Sequence, residues 1–408
     1  MDRICKIVSK SRRLNAENVQ LFYDATATQL AIYDSTSKYR PLDRWSFIDN
    51  PADLLPDAYQ VMANLNPQLE RLHLHCCGQI DSSVLQYWAK PTTFRSLVRL
   101  ELFAPYLVRV EAWKTFLISK GPQLTGFLIT NSPRFDEACM LTLAQNCTKL
   151  EELRLSELGK LKDSWLEYIH GLTLLRSLSL SRPAESLTDK PVVELLSVLG
   201  ARLEHLDLSG NDELTDVLLQ DGIGKNCTSL QSLALSGVTQ LTDEGAAAFF
   251  KQWKQDEGTV YMMKNTEDWM DVDRPVTNRP LSSIDLSQNP ELGTDALLAL
   301  LLHSGPGLLK LSINGWRGTK EESLSAIAKY APKLEELDVG WCREVDDFVV
   351  GKLLGMSQKD EDRRSAGCVN LKVLRLHGCN RVTNACPTRV SSLWPLYGAG
   401  ADTSNSVV

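Results

Sequence analysis

A leucine pattern, L-x-x-L-x-L, returns about every 25 to 28 residues between Leu69 and Leu376. Eight of the ten steps between successive central positions are 25 to 28 residues long, and the other two are 51 and 37. Each long step therefore contains one repeat and an inserted loop. A weaker unit at Leu30 and Ile32 raises the count to about twelve. The central apolar positions are Leu72, Leu100, Phe127, Leu153, Leu178, Leu206, Leu233, Ile284, Leu311, Leu337 and Leu374.

This period predicts an α/β fold, a leucine-rich-repeat solenoid. Each unit supplies one strand and one helix because no unit can bury its apolar face alone. We expect a horseshoe with a parallel sheet on the concave side and helices on the convex side. Within a unit, the L-x-L run alternates between core and solvent as a short strand. A Thr or Asp after the next apolar residue, as at Thr242, caps the helix that follows.

The organisation of the chain follows from where the pattern holds. We predict an N-terminal helical cap with one degenerate repeat in residues 1–66, a solenoid of about 11 units in residues 67–390, and a tail in residues 391–408. Insertions are expected near 252–280 and 357–367. No run of about 18 apolar residues is present, and the first residues lack the layout of a secretory signal. We therefore expect a soluble intracellular protein.

Six of the ten cysteines fall at two repeated positions. Such repetition predicts small buried side chains that line the core, which is how free cysteine usually behaves. No C-x-x-C sequence is present, and no second pair stands at zinc-ligand spacing from Cys76 and Cys77, so we expect no metal site. The cysteines at repeated positions are Cys77, Cys342 and Cys379, and Cys147, Cys227 and Cys368.

An active site has little support in the sequence. A dyad of His75 and Cys76 is conceivable, but neighbours on a strand point to opposite faces and no nucleophile motif surrounds them. No glycine-rich phosphate loop follows a strand. We therefore expect a protein without catalytic residues and without a cofactor. An enzyme would need an activity that disappears when His75 or Cys76 is replaced.

The charge balance favours protein recognition over direct DNA binding. The net charge is −7, whereas non-specific duplex binding depends on clustered Lys and Arg. Both signs alternate along the concave strand positions, as at protein interfaces. The alternative for each such residue is a solvated strand face. The predicted partner-binding residues are Arg71, His73, Arg99, Glu101, Glu152, Arg154, Asp207, Asp285, Lys310, Glu336, Asp338 and Arg375.

Two tryptophans close to strand ends have different predicted roles. Trp316 stands at the repeat position that holds Asn211 and Asn289 in other units, which predicts core packing. Trp341 precedes that position and lies next to Arg343. Because Trp and Arg are frequent interface anchors, we add Trp341 to the predicted contact residues.

The first insertion is acidic but contains large apolar side chains. Such segments often dock on partners, so Tyr261 and Trp269 are predicted to form a second contact. The alternative is a loop without function. The second insertion, rich in Lys, Asp, Glu and Arg, is predicted to be a solvated loop.

A family resemblance appears at the N-terminus. A helix-rich segment at residues 4–23 and the weak unit around Leu30 lead into cysteine-containing repeats, a style common in ubiquitin-ligase receptor subunits. Together they resemble the leucine-rich-repeat subunit of the fungal global-genome nucleotide-excision-repair factor. The resemblance implies a nuclear protein that pairs with a Swi2/Snf2-type ATPase carrying a RING finger. It also implies membership of a cullin–elongin C ubiquitin ligase, with damaged DNA reached through the complex.

The elongin C contact in such subunits is a helix with an apolar residue four positions before a cysteine. Met1 and Cys5 have that spacing, so Cys5 is the expected contact. Two other functions remain open. Residues 50–62 resemble an F-box in their leucines and proline, which would pair the chain with a Skp1-type adaptor. The other is a protein that binds damaged DNA directly.

Overall fold

The computed structural model describes residues 29–32, 56–65, 68–74, 78–253, 261–262, 275–276, 281–355 and 367–383. The chain divides into two compact units, unit 1 at residues 1–187 and unit 2 at residues 188–408. Strands and helices alternate in each, which confirms the predicted α/β leucine-rich-repeat solenoid. The finer division into cap, solenoid and tail stays a prediction.

Unit 1 is a parallel sheet with a helix or helical turn between successive strands from Arg71 onwards. The strands pair in chain order, and the central residues of the repeats lie opposite one another, from Leu30 with Leu72 to Leu153 with Leu178. The weak unit at Leu30 is therefore a true member of the sheet. The elements are β1 Gln29–Ile32, α1 Pro56–Leu65, β2 Arg71–Leu74, α2 Ser82–Trp88, β3 Arg99–Phe103, α3 Val110–Lys120, β4 Gly126–Thr130, α4 Glu137–Asn146, β5 Glu152–Ser156, α5 Leu166–Ile169 and β6 Ser177–Ser179.

Unit 2 repeats the same alternation. Its elements are α6 Asp189–Leu199, β7 His205–Asp207, α7 Gly224–Asn226, β8 Ser232–Ala234, α8 Asp243–Gln252, β9 Tyr261–Met262, β10 Pro275–Val276, β11 Ser283–Asp285, α9 Thr294–Ser304, β12 Lys310–Ser312, α10 Glu321–Tyr330, β13 Glu336–Asp338, α11 Asp347–Leu353 and β14 Val373–Arg375. Strand β11 pairs directly with β8, and β14 with β13. Each long step in the repeat pattern therefore contains one repeat, as predicted.

The first insertion departs from the parallel arrangement. Strands β9 and β10 pair with each other in antiparallel register rather than joining the parallel sheet. Helix α8 continues to Gln252, and the next residue, Trp253, is still buried. Its indole ring stacks on His303 with the ring planes 5° apart and the centroids 5.0 Å apart. The core of this repeat thus extends to Trp253.

The core consists of the strand leucines and the inner faces of the helices. Ala246, Ala247, Phe249 and Phe250 of α8 are buried as the sequence predicted. Full burial of one such large apolar side chain contributes about 1.5–3 kcal/mol. Because each leucine-rich repeat buries its apolar side chains in this way, stability accumulates along the chain through contacts between neighbouring repeats. None of the described helices is long and apolar enough to cross a membrane.

The repeat position that holds Trp316 is buried, as predicted, and in five of the six described repeats of unit 2 its side chain donates a hydrogen bond; Val238 is the exception. The Trp316 Nε1–H donates to the carbonyl of Leu286, 2.7 Å away, in the preceding repeat. Asn289 donates to the carbonyl of Leu235 at 2.9 Å, also one repeat back. Buried donors need partners, so this position joins neighbouring repeats through hydrogen bonds. Asn211, Cys342 and Cys379 occupy the same position and also donate to backbone carbonyls.

Helix starts are tied to the preceding repeat by aspartates. Asp216 accepts hydrogen bonds from the backbone N–H and the hydroxyl of Thr242, at 3.0 and 2.6 Å. The Thr242 hydroxyl oxygen then accepts from the Gly245 N–H and caps α8, which confirms the predicted cap. A cap of this kind stabilises a helix by about 1 kcal/mol. The same Asp-to-Thr pairs recur as Asp189 with Thr215 and Asp347 with Thr383.

Candidate functional site

The outward positions of β2, β3 and β5 in unit 1 carry charged side chains. Alternate residues of a strand face opposite sides, so Leu72 and Leu74 are buried while His73, between them, lies at the surface. The parallel register aligns charged residues of neighbouring strands, placing Arg71 beside Arg99 and His73 beside Glu101. We call the connected group His73, Arg99, Glu101, Glu152 and Arg154 the unit 1 charge network.

Arg99 connects two strands that are not neighbours. The residue between Arg99 and Glu152 in the register is Gly126. The Arg99 Nε and Nη2 groups donate to the two carboxylate oxygens of Glu152 at 2.7 and 3.1 Å. A Cβ atom at Gly126 would lie 2.7 Å from Cγ of Arg99. Because Gly126 has no side chain, Arg99 can pass over it and form the bidentate pair with Glu152.

Glu101 is the centre of the network. It accepts from Arg99 Nη1 at 2.8 Å and from Arg154 Nη1 at 3.0 Å, and its Oε2 lies 2.8 Å from His73 Nδ1. Leu128 lies between Glu101 and Arg154 in the register and is 1% exposed. The Glu101–Arg154 bridge spans the position of Leu128.

The network changes the ionisation of its members. Burial alone disfavours the charge of Glu101, but the hydrogen bond from His73 and the nearby Arg99 and Arg154 outweigh it. They lower the pKa of Glu101 to about 2. Burial likewise opposes the charge of Arg99, yet the carboxylates of Glu152 and Glu101 raise the pKa of Arg99 further. Both residues are therefore held in their charged forms.

The pairing decides which predicted contact residues remain available. Arg99, Glu101 and Glu152 bond mainly to one another, so removing one would disturb the folded sheet as well as any partner contact. The side chain of Arg154 is 41% exposed. Arg71 is exposed, and no ion pair of it occurs within the residues that the structure describes. Arg71 and Arg154 are thus the residues of this surface best able to reach a partner, and their partner-binding role stays a prediction.

The three predicted aspartates of unit 2 each accept a hydrogen bond from the turn after their own strand. Asp285 accepts from the Ser287 N–H at 3.0 Å, and Asp338 from the Gly340 N–H at 2.9 Å. Asp207 makes the same bond to the N–H of Ser209, also at 3.0 Å. Lys310 and Glu336 form an ion pair of 2.8 Å across β12 and β13. Arg375 of β14 is exposed. These residues keep their predicted partner role alongside the local one.

Beyond β13, the structure brings together residues that the sequence did not connect. Asn314 lies 3.3 Å from Asp338, and its side-chain nitrogen lies 2.7 Å from Nε2 of His377. Trp341, next to this group in the chain, is 60% exposed. Asn314 went unnoticed because its partners come from two later repeats. Aligning the residues that follow each central apolar residue would have revealed the grouping.

The five described cysteines at repeated positions are buried as predicted, and burial raises the pKa of the Cys147, Cys227, Cys342 and Cys368 thiols to about 12. Such thiols stay protonated and are poor nucleophiles. His75 and Cys76, which the sequence disfavoured as a catalytic pair, lie outside the described residues, and so do Cys77, Cys5 and Trp269. For Tyr261 the structure describes the backbone, in β9. The contact roles of Cys5, Tyr261 and Trp269 therefore stay predictions.

A family model described as Leucine Rich repeat matches residues 203–217 and 226–250. The DNA repair protein rhp7 of Schizosaccharomyces pombe is 30% identical over 351 residues, which cover 86% of this chain and 55% of rhp7. The DNA repair protein RAD7 of Saccharomyces cerevisiae is 27% identical over 399 residues, 95% of this chain and 61% of RAD7. The chain thus spans a little more than half the length of these relatives.

The fold is also that of a solved structure. In the crystal structure of a yeast Rad7 and Elc1 complex, one chain superposes on this one with a TM-score of 0.72. The two are 24% identical, and the match covers 95% of this chain and 85% of that chain. This likeness supports the solenoid fold independently of the repeat pattern.

Proposed function

Because the chain is homologous to the DNA repair proteins rhp7 and RAD7, we propose that it is a non-catalytic adaptor that binds protein partners in a nuclear DNA-repair assembly. The observation that carries the proposal is this homology over most of the chain. The mixed charges of the strand surfaces support it, because complementary patches of both signs are typical of protein recognition.

The non-catalytic part of the proposal rests on chemistry. Reactive cysteines need a lowered pKa, whereas burial raises the pKa of all five cysteines at repeated positions that the structure describes, Cys379 to about 11. His303, the most buried described histidine, has its pKa lowered to about 4 by burial and is stacked on Trp253. These groups serve the core.

The proposed partners come from the family resemblance: a Swi2/Snf2-type ATPase with a RING finger, elongin C and a cullin. The complex of yeast Rad7 with Elc1 supports the elongin C part. Arg71 and Arg154 are the surface positions through which unit 1 would hold a partner. Damaged DNA would be reached through the ATPase, since the net charge of −7 gives this chain little attraction for phosphate.

A reconstitution with purified proteins tests the adaptor assignment. The full chain is mixed in separate experiments with elongin C, with a Skp1-type adaptor and with ultraviolet-irradiated duplex DNA at physiological salt, and each mixture is analysed by size-exclusion chromatography. We expect co-elution with elongin C. Co-elution with Skp1 instead would favour an F-box-type receptor, and a DNA complex without other proteins would favour a direct damage sensor.

Substitutions locate the contact. Cys5→Asp should abolish co-elution with elongin C while leaving thermal unfolding unchanged. Cys342→Asp is the contrasting variant, because it places a charge in the core and should lower the melting temperature. Retained elongin C binding by Cys5→Asp would remove Cys5 from the proposal and leave the adaptor role in place.

A further inference from the structure

In unit 2, the residue four places after the central apolar residue of each described repeat has a positive φ. This backbone geometry lets its N–H donate to the next repeat: the N–H of Gly315 bonds to the carbonyl of Gly340, and that of Trp341 to the carbonyl of His377. Glycine adopts a positive φ without strain, and it fills four of the six places. The residues in order are Gly210, Gly237, Gln288, Gly315, Trp341 and Gly378.

Trp341 is the one aromatic residue of this series. Its φ of 59° is strained for a residue with a bulky side chain, and its side chain is 60% exposed, so core packing does not account for it. The indole ring lies against Gly378, where an added Cβ atom would come 2.6 Å from Cε3 of the ring. One face of the ring is therefore supported by glycine backbone. The same repeat position has a positive φ in unit 1, at Ala104, Asn131, Glu157 and Arg182, so the backbone geometry belongs to the repeat. What distinguishes Trp341 is its large exposed ring.

Two arginines stand two places beyond the repeat position of Trp341, Arg343 in the same repeat and Arg317 in the preceding one. Arg317 and Arg343 stand six residues after the central apolar residues of β12 and β13, which are paired strands. Both are exposed, and within the described residues neither makes an ion pair or a hydrogen bond. The nearby carboxylate of Glu344 is already paired with Arg381. We call Arg317, Trp341 and Arg343 the Trp341 edge.

We propose that the Trp341 edge binds an acidic segment of a protein partner that carries one large apolar side chain. The apolar side chain packs on the exposed face of the indole, and carboxylates of the segment pair with Arg317 and Arg343. Exposed Trp and Arg together are the residue types that dominate binding energy at protein interfaces. The inference rests on the proposed adaptor function and specifies one of its contact surfaces and the chemistry of the partner.

A nucleic acid fits this edge less well. Proteins that bind single strands stack successive bases on several aromatic side chains above a basic groove. The Trp341 edge offers one exposed aromatic ring in place of such a series.

The test uses labelled peptides and fluorescence anisotropy with the full chain. The probe is a pool of peptides with four Asp or Glu residues around one Trp or Leu. Matched pools replace the apolar residue by Ser or the acidic residues by Lys, and a labelled oligothymidylate represents the nucleic-acid alternative. The variants are Trp341→Gly and Arg343→Glu, with Phe348→Ala as a control for another exposed aromatic residue and Lys251→Glu as a control for charge.

We expect the acidic-apolar pool to bind best and each edge variant to weaken that binding about tenfold or more. The two control variants should stay within about twofold of the wild type. Trp341→Gly should keep or raise the melting temperature, because glycine relieves the strained backbone.

Three results would overturn the proposal: no binding of the acidic-apolar pool, tighter binding of oligothymidylate, or a Trp341→Gly variant that melts well below Phe348→Ala. The last would mean that Trp341 serves folding. Any of these could occur while the chain still co-elutes with elongin C, so failure of this inference is distinguishable from failure of the adaptor assignment.

Discussion

The Arg99 side chain extends across Gly126 and donates two hydrogen bonds, of 2.7 and 3.1 Å, to the carboxylate of Glu152 two strands away. The bridge connects β3 directly to β5 across β4, whereas backbone hydrogen bonds join only adjacent strands. Because the carboxylate and the guanidinium are partly shielded from water, removing one of them leaves a poorly hydrated charge and destabilises the fold more than breaking an exposed ion pair would.

The role of Gly126 predicts the effect of adding a methyl group. Gly126→Ala should displace Arg99 and lower the free energy of unfolding by about 1–3 kcal/mol, because a buried charged hydrogen bond is strained or lost. Urea denaturation measures this change. Gly159→Ala is the matched control, since a Cβ atom there meets nothing within 4 Å. Equal effects of both substitutions would contradict the proposed bridge.

The lowered pKa of Glu101 predicts how stability depends on pH. Its pKa falls from an ordinary 4.5 to about 2 on folding, so the folded state holds the ionised carboxylate more favourably. The resulting stabilisation is fully present above pH 4.5 and is lost as the pH falls toward 2. Glu101→Gln should therefore cost about 1–3 kcal/mol at pH 7, and the gap to the wild type should narrow below pH 4.5. A gap independent of pH would show that Glu101 is not the titrating group.

His303 predicts a second acid effect, in unit 2. Burial between Phe250 and Trp253 lowers its pKa from 6.5 to about 4, so the stabilisation by the neutral ring exists above pH 6.5 and declines as the pH falls toward 4. His303→Phe keeps the aromatic packing and should flatten this decline in thermal melts. His205→Asn, at an exposed site, serves as the control and should leave the decline unchanged.

Removing the hydrogen bonds that Asp216 accepts from Thr242 should destabilise the start of α8. Asp216→Ala removes both hydrogen bonds to Thr242 and should lower the free energy of unfolding by about 1–2 kcal/mol. Glu244→Ala, in the exposed first turn of the same helix, should change it by less than about 0.5 kcal/mol. Hydrogen exchange of the α8 backbone amides measures this effect directly. Unchanged exchange rates in Asp216→Ala would show that these hydrogen bonds do not stabilise α8.

The repeat period was enough to predict the register of the parallel sheet, since every central apolar residue from Leu72 to Leu374 lies in a strand. It also predicted the buried role of Trp316. The unit 1 charge network was not predicted, because it depends on contacts across Gly126 and Leu128 that no single repeat contains. The backbone of Trp341 was missed for a different reason: its left-handed geometry accompanies a hydrogen bond to the next repeat, at a position where some repeats carry glycine and others carry residues such as Asn131 and Gln288.

The surface of unit 1 gives a test of partner binding, with thermal melting measured alongside because Arg154 also bonds to Glu101. Arg71→Glu combined with Arg154→Glu should weaken partner binding about tenfold or more, since charge reversal at an interface is strongly unfavourable. Lys114→Glu, on α3, is the control and should have no such effect. Circular dichroism should be the same for all three proteins. Full partner binding by the double variant would direct attention to unit 2.

The measurement that tests the adaptor assignment most directly is affinity capture of the tagged full chain from nuclear extract, with quantitative mass spectrometry of the bound proteins. We expect recovery of a Swi2/Snf2-type ATPase together with elongin C and a cullin. The double variant Arg71→Glu and Arg154→Glu should recover less of the ATPase. Recovery of Skp1 without the ATPase, or capture of none of these proteins, would contradict it.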